Sequence, residues 1–175
     1  LPLAAVRALP RHPDALSDGE RLAVELRGDD PYEVILEAAS TARAGAGGLV
    51  FLPYLHGERT PHHDPAARGA LVGLTARTTK ADDSRAVVEG ISFALADSLD
   101  LVRASGEPLP GPIRLTGGGA RSPFWRQLLA DVFDAEVALT TSSEGAAFGA
   151  ALLGAVAAGA FASVEDAADA LVHLT

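Results

Sequence analysis

The chain has 175 residues, enough for a domain with a proper core, and its 48% hydrophobic and 21% charged residues describe a globular composition, not a disordered one. Cysteine is absent, which excludes disulfides, thiolate metal sites and a cysteine nucleophile and makes a reducing, cytoplasmic setting the expectation. A net charge of −9 opposes non-specific binding to nucleic acid or anionic membranes, and no apolar run approaches the ~18 residues of a membrane span. Much of the apolar share is alanine, set against six Phe and two Tyr, so the core must be built by close approach of backbones. The chain opens Leu1-Pro2-Leu3 and holds no methionine, from which a piece of a longer protein is expected.

The first thirty residues, with Pro2, Pro10, Pro13, Gly19 and Gly28, read as irregular connection. Asp30-Pro31-Tyr32-Glu33 combines an N-cap, a proline at the first helical position and an early acid. The helix is expected to run to about Arg43, burying Ile35, Leu36, Ala39 and Ala42, and to stop at Gly45. Leu49 to Leu55 is strand-like, His56 to Gly69 is a polar loop, and Ala70 to Leu74 is a second strand. Thr79 caps a long helix to roughly Ser105, with Val87, Ile91, Ala94, Leu95, Ser98, Leu101 and Val102 along one face.

Beyond Gly106, with Pro108, Pro110 and Pro112 stiffening the crossing, Ile113 to Thr116 is a short strand and Gly117-Gly118-Gly119-Ala120 a turn. Ser122-Pro123 starts a helix expected to bury Phe124, Leu128, Leu129 and Val132. Glu136 to Thr140 is a strand. Ser143 caps a helix rich in glycine and alanine, and Ser163 opens a last helix to Thr175. Strand, turn, helix, strand and helix in succession imply parallel pairing with crossovers.

The glycine turn is the best chemical lead. It joins a strand's end to a helix N-terminus, where unpaired N–H groups and the helix dipole favour an anion, and its glycines place no Cβ in a ligand's way. A plain strand-to-helix turn explains the same residues. Ala120-Arg121 stands where a Walker loop needs Lys then Ser or Thr. A dinucleotide fingerprint would need glycine at Ser122 and an acid in place of Thr140-Thr141.

His62, His63 and Asp64 could ligate a metal, yet adjacent histidines on an extended loop point apart, and a solvated loop is expected. Arg59 and Arg68 are expected to pair with Glu58 and Asp64. Asp82 and Asp83 read as first-turn acids of the long helix. Trp125 reads as wedged in a domain contact.

Three stretches together resemble the carbohydrate kinases named for their FGGY motif. The first is Gly48-Leu49-Val50-Phe51-Leu52-Pro53-Tyr54-Leu55-His56-Gly57-Glu58-Arg59-Thr60-Pro61, continuing through His63-Asp64-Pro65 to Ala67-Arg68-Gly69. The second joins Gly69-Ala70-Leu71-Val72-Gly73-Leu74 to Arg85-Ala86-Val87-Val88-Glu89-Gly90 and Phe93-Ala94-Leu95. The third is Gly117-Gly118-Gly119-Ala120-Arg121-Ser122-Pro123-Phe124-Trp125-Arg126-Gln127, then Ala130-Asp131. Asp83 departs from the pattern, which has an apolar residue there.

The resemblance implies an α/β, actin-like or ribonuclease-H-like domain with a mixed sheet and helices on both faces. Residues 48–175 would form the C-terminal kinase domain and residues 1–47 an irregular lead-in, with one helix, to the same domain. It implies ATP with Mg²⁺ as donor and a ketose sugar, most closely D-xylulose, as acceptor in the intact enzyme; another sugar of the family, such as gluconate or ribulose, is the near alternative. It also implies nucleotide contacts at Gly117, Gly118, Gly119, Arg121 and Ser122, and no metal ligand in the chain. The catalytic aspartate is expected in a preceding domain, so the 175 residues alone would be inactive. A homodimer is compatible with this reading. The alternative of another class is a non-catalytic actin-like module that binds a nucleotide or a partner.

Overall fold

The computed structural model describes residues 30–106, 108–109, 111–142 and 145–174. The expected irregular lead-in before residue 30 and the Ser143 cap lie outside the described residues, whereas the last helix, expected to reach Thr175, ends at Leu171, where Val172 is already extended and Leu174 bridges to Thr140. Elements divide into two compact units, one before and one after the step from residue 107 to residue 108. The class is α/β, with the antiparallel and parallel pairings in two separate two-stranded ladders.

In the first unit Asp30 accepts the Tyr32 N–H at 2.9 Å and opens α1, Pro31–Thr41, where the missing N–H of proline costs no helical bond. The helix stops short of Arg43. Ser40 and Thr41 turn their hydroxyls onto the Glu37 and Ala38 carbonyls, and Ala42 is already extended. Ile35 and Ala39 are buried as expected, whereas Leu36 and Ala42 are half-buried.

A turn of positive-φ residues, Gly45 to Gly48, delivers the chain to β1, Val50–Leu52. It pairs antiparallel with β2, Ala70–Val72, in the register Val50↔Val72, Phe51↔Leu71 and Leu52↔Ala70. Alternation sends Phe51 inward to join Ala46, Leu49, Ala86 and Val87.

The long helix α2, Lys80–Ala104, starts at the expected residue. Thr79 and Asp82 form a reciprocal capping box. Val88 and Ser92 are fully buried, and a Cβ on Gly90 would strike the Phe51 carbonyl, so glycine sets how closely α2 lies on β1. The buried residues of α2 fall between Ser84 and Ser92, where α1, the Gly45–Gly48 turn and β1 pack on it. Leu95, Leu101 and Val102, expected on the inner face, remain exposed because the apolar stripe runs farther than the elements that cover it.

Glu89 is buried on α2, accepting from Arg85 Nε at 2.6 Å and from the Gly45 N–H at 3.0 Å. A buried carboxylate is tolerated because both donors meet it. Its neighbour Asp83 is less well served. Capping accounts for Asp82, but a side chain at the fourth helical position cannot reach back to the N-cap, and Asp83 Oδ1 is buried with no hydrogen-bond partner. Burial first, and the adjacent Asp82 charge second, push its pKa above the ordinary carboxylate value.

In the second unit β3, Ile113–Leu115, runs parallel to β4, Val137–Leu139, with Ile113↔Val137 and Leu115↔Leu139 in register. Between them lies α3, Pro123–Phe133, which buries Leu128, Leu129 and Phe133; Phe124 and Val132 are half-buried. Helix α4, Gly145–Ala157, and helix α5, Val164–Leu171, follow, with Ser163 accepting the Asp166 N–H at 3.0 Å as N-cap of α5.

Removing the Asp83 carboxylate is expected to stabilise the chain. Asp83→Leu gains on the order of 1 kcal/mol at pH 7, because the buried unpartnered oxygen outweighs the helix-dipole benefit of an acid in the first turn. A carboxyl whose pKa is raised on folding is harmless below its unfolded value and costs stability as pH climbs through the folded one. Thermal unfolding should therefore show the advantage of Asp83→Leu shrinking as pH is lowered towards 4; an advantage independent of pH would contradict this account.

Candidate functional site

Strands β3 and β4 are parallel, so their carboxyl ends lie side by side, and each chain passes from there into a helix. Such an edge is where parallel α/β sheets bind ligands. After β3, Gly117 takes φ 89° and ψ −179°, a conformation essentially reserved for glycine. It redirects the chain into a 3₁₀ turn over Gly118–Arg121, and Ser122 then caps α3, accepting the Trp125 N–H at 3.3 Å. After β4, Thr140 Oγ1 donates to the Ser142 carbonyl at 2.8 Å. The start of α4 returns to the same edge, where a Cβ on Gly145 would stand 3.1 Å from Thr116 Oγ1.

Four carbonyls of the turn are engaged within the chain. Ala120 N–H donates to the Gly117 carbonyl and Ser122 N–H to that of Gly119, both at 3.2 Å. Arg126 Nη1 donates to the carbonyls of Ala120 at 2.9 Å and Arg121 at 3.1 Å. What the turn presents outward is donor character, since the first amides of a helical turn have no partner within it.

The five expected contact residues fall together on this one turn but in different settings. Nothing lies within 4 Å of where a Cβ on Gly117 or Gly118 would stand, so both leave their backbone approachable. A Cβ on Gly119 would stand 2.6 Å from Trp125 Cζ3. That glycine therefore seats the ring of the chain's single tryptophan against the turn. Arg121 is exposed, and Ser122 is half-buried with its hydroxyl committed to the cap. Such an open, donor-rich backbone is one that could hold an anion.

Arg126 stands in the third family-like stretch, but nothing in its position announces a grip on carbonyls five and six residues earlier. It also lines, with Gln127 and the apolar Pro123, Ala130, Val137 and Leu139, a cavity of about 530 Å³ between α3 and β4.

The polar loop of the first unit is ordered by its own groups. Glu58 Oε2 accepts the N–H groups of His62 at 2.6 Å and His63 at 3.1 Å. Tyr54 and His62 share a hydrogen bond of 3.3 Å with their rings edge to face. Burial, and then the charges of Asp97 and Glu58, raise the Tyr54 pKa above its usual value.

The expected pairing of Arg68 with a nearby carboxylate is not formed. Arg68 Nη1 donates instead to the carbonyls of Pro65 and Ala67, because Glu58 is taken up by backbone N–H groups and Asp64 accepts from Ala66. Among the described residues, no three His, Asp or Glu side chains converge in a metal-binding arrangement. No helix among them is long and apolar enough to cross a membrane.

Residues 12–158 match the C-terminal domain of the FGGY family of carbohydrate kinases. The xylulose kinase of Staphylococcus epidermidis is 42% identical over 146 residues, which are 83% of this chain and 29% of that protein. The crystal structure of ligand-bound xylulose kinase from Lactobacillus acidophilus superposes with a TM-score of 0.71 and 34% identity, over 85% of this chain and 30% of that one. Gluconate kinase from the same organism gives 0.73 and 31%, over 99% of this chain and 32% of that one. The chain belongs to the FGGY family of carbohydrate kinases, has their actin-like, ribonuclease-H-like fold, and spans under a third of the length of these relatives.

The Trp125 seat is open to direct test. Gly119 needs no positive φ, so Gly119→Ala leaves the backbone unstrained and only drives the indole off the turn. Overpacking of this kind costs about 1–3 kcal/mol. Tryptophan emission should shift to longer wavelength with the fold retained; an unchanged spectrum would show that the ring does not rest there.

Proposed function

We propose that this FGGY-family domain holds the ATP side of a sugar kinase, with the 117–122 turn seating the donor's inner phosphates and ribose. Gly117, Gly118 and Gly119 would supply backbone, Ser122 would line the base pocket and Arg121 would flank it. The observation that carries the reading is the open backbone at Gly117 and Gly118, at the carboxyl edge of two parallel strands, with the carbonyls of Gly117, Gly119, Ala120 and Arg121 bonded within the chain.

In the intact enzyme the γ-phosphoryl of Mg-ATP passes to a hydroxyl of the sugar. The bond from γ-phosphorus to the bridging oxygen of the β-phosphate breaks, ADP leaves, and a base outside this chain takes the hydroxyl proton. Mg²⁺ would travel on the phosphates and offset their charge. The residues of this chain then work by binding and orienting the donor, which is most of what phosphoryl transfer asks of a protein.

D-xylulose, giving D-xylulose 5-phosphate, is the proposed acceptor, supported by the xylulose kinases among the relatives. Gluconate is the second reading, supported by the likeness to a gluconate kinase across nearly the whole chain. Alone, the 175 residues would bind nucleotide weakly and transfer no phosphoryl group, in a cytoplasmic setting.

Gly118→Ala separates folding from binding. Its Cβ meets nothing within 4 Å and needs no unusual φ, so melting should change by less than about 0.5 kcal/mol. A methyl group on the proposed seat should still weaken Mg-ADP binding by about tenfold or more, measured by calorimetry. Equal affinity in the two proteins would remove Gly118 from the site.

A further inference from the structure

We propose that Arg126 is a positioning residue for the nucleotide: its guanidinium holds the glycine turn in the one shape that offers donors and hides acceptors. The inference rests on the reading of the turn as a nucleotide seat and extends it to a side chain outside that seat. Arg126 Nη1 lies 2.9 Å from the Ala120 carbonyl and 3.1 Å from that of Arg121, a charged donor bridging successive peptide groups.

Three successive glycines form the most conformationally free stretch in the second unit, and 3₁₀ bonds alone hold such a turn poorly. Planar peptides make each carbonyl's direction fix that of its neighbouring N–H. Arresting the Ala120 and Arg121 carbonyls therefore arrests the two peptide planes that join the glycines to α3. Carbonyl oxygens left to swing outward would also repel a phosphate, and those of Gly117, Gly119, Ala120 and Arg121 are all drawn inward. Arg126 stands on α3, whose Leu128 and Leu129 are buried, so its base is rigid. Both bonds come from one guanidinium nitrogen, so a lysine there would keep the charge and could reach the same carbonyls, but from a flexible stem without the fixed plane that orients Nη1.

The single tryptophan, seated on Gly119, reports the turn by its fluorescence. Titrating the chain with Mg-ADP, Arg126→Ala should bind about tenfold or more weakly than the unchanged chain while its circular dichroism and secondary structure persist. Arg126→Lys should recover part of that loss. If Arg126→Ala does not fold, Arg126→Gln, equally uncharged and with one donor head, takes its place and should bind more weakly than Arg126→Lys. Folded Arg126→Ala or Arg126→Gln with unchanged affinity would overturn the role of Arg126 alone, leaving the seat intact. No binding by the unchanged chain would overturn both the seat and this inference.

Discussion

Parallel pairing of β3 with β4 is the constraint on which the second unit turns. It places two strand-to-helix transitions side by side, and each has a glycine at or near it. Gly117 adopts a backbone conformation closed to side chains, and Gly145 approaches Thr116 too closely for a Cβ to sit at ease. Once those glycines have brought both helices to the strand ends, the edge is short of side chains and rich in amides. An acidic protein can meet a polyanion in this way, because local donors act at contact distance while net charge acts only through a screened field.

The first unit solves a different problem. A buried carboxylate at Glu89 serves as a staple, joining α2 to the Gly45 turn that precedes β1, and Arg85 meets its other side. Asp83, six residues earlier on the same helix, has a buried oxygen without such a partner. The two acids show that burial alone does not decide the worth of a charged group; the count of donors facing it does. In the 56–65 loop the same arithmetic operates at the surface, where Glu58 spends its oxygen on two backbone N–H groups and leaves Arg68 to bind carbonyls.

Much of this was legible in the residues because it is local. The Asp30, Thr79, Ser122 and Ser163 caps lie within three residues of the N–H groups they satisfy, so spacing alone predicts them. The parallel order of β3 and β4 followed from the helix between them. What resisted reading is long-range or depends on what covers a surface. Glu89 and Gly45 are 44 positions apart, and no pattern pairs them. The stripe through Leu95, Leu101 and Val102 has helical periodicity whether or not anything packs on it. At the site, the glycines announced the turn, but nothing local told that Trp125 and Arg126, though they stand in the third family-like stretch, pack on it and bond to its carbonyls.

The claim that matters most is that main-chain amides of the 117–121 turn hold the nucleotide. Backbone amide shifts followed by ¹⁵N-resolved NMR while Mg-ADP is added to the chain test it most directly. The account predicts that the amides of Gly117, Gly118 and Gly119 move first and farthest, with the Trp125 indole following. Saturable shifts centred on the 54–68 loop or another surface, with the glycine amides still, would contradict it.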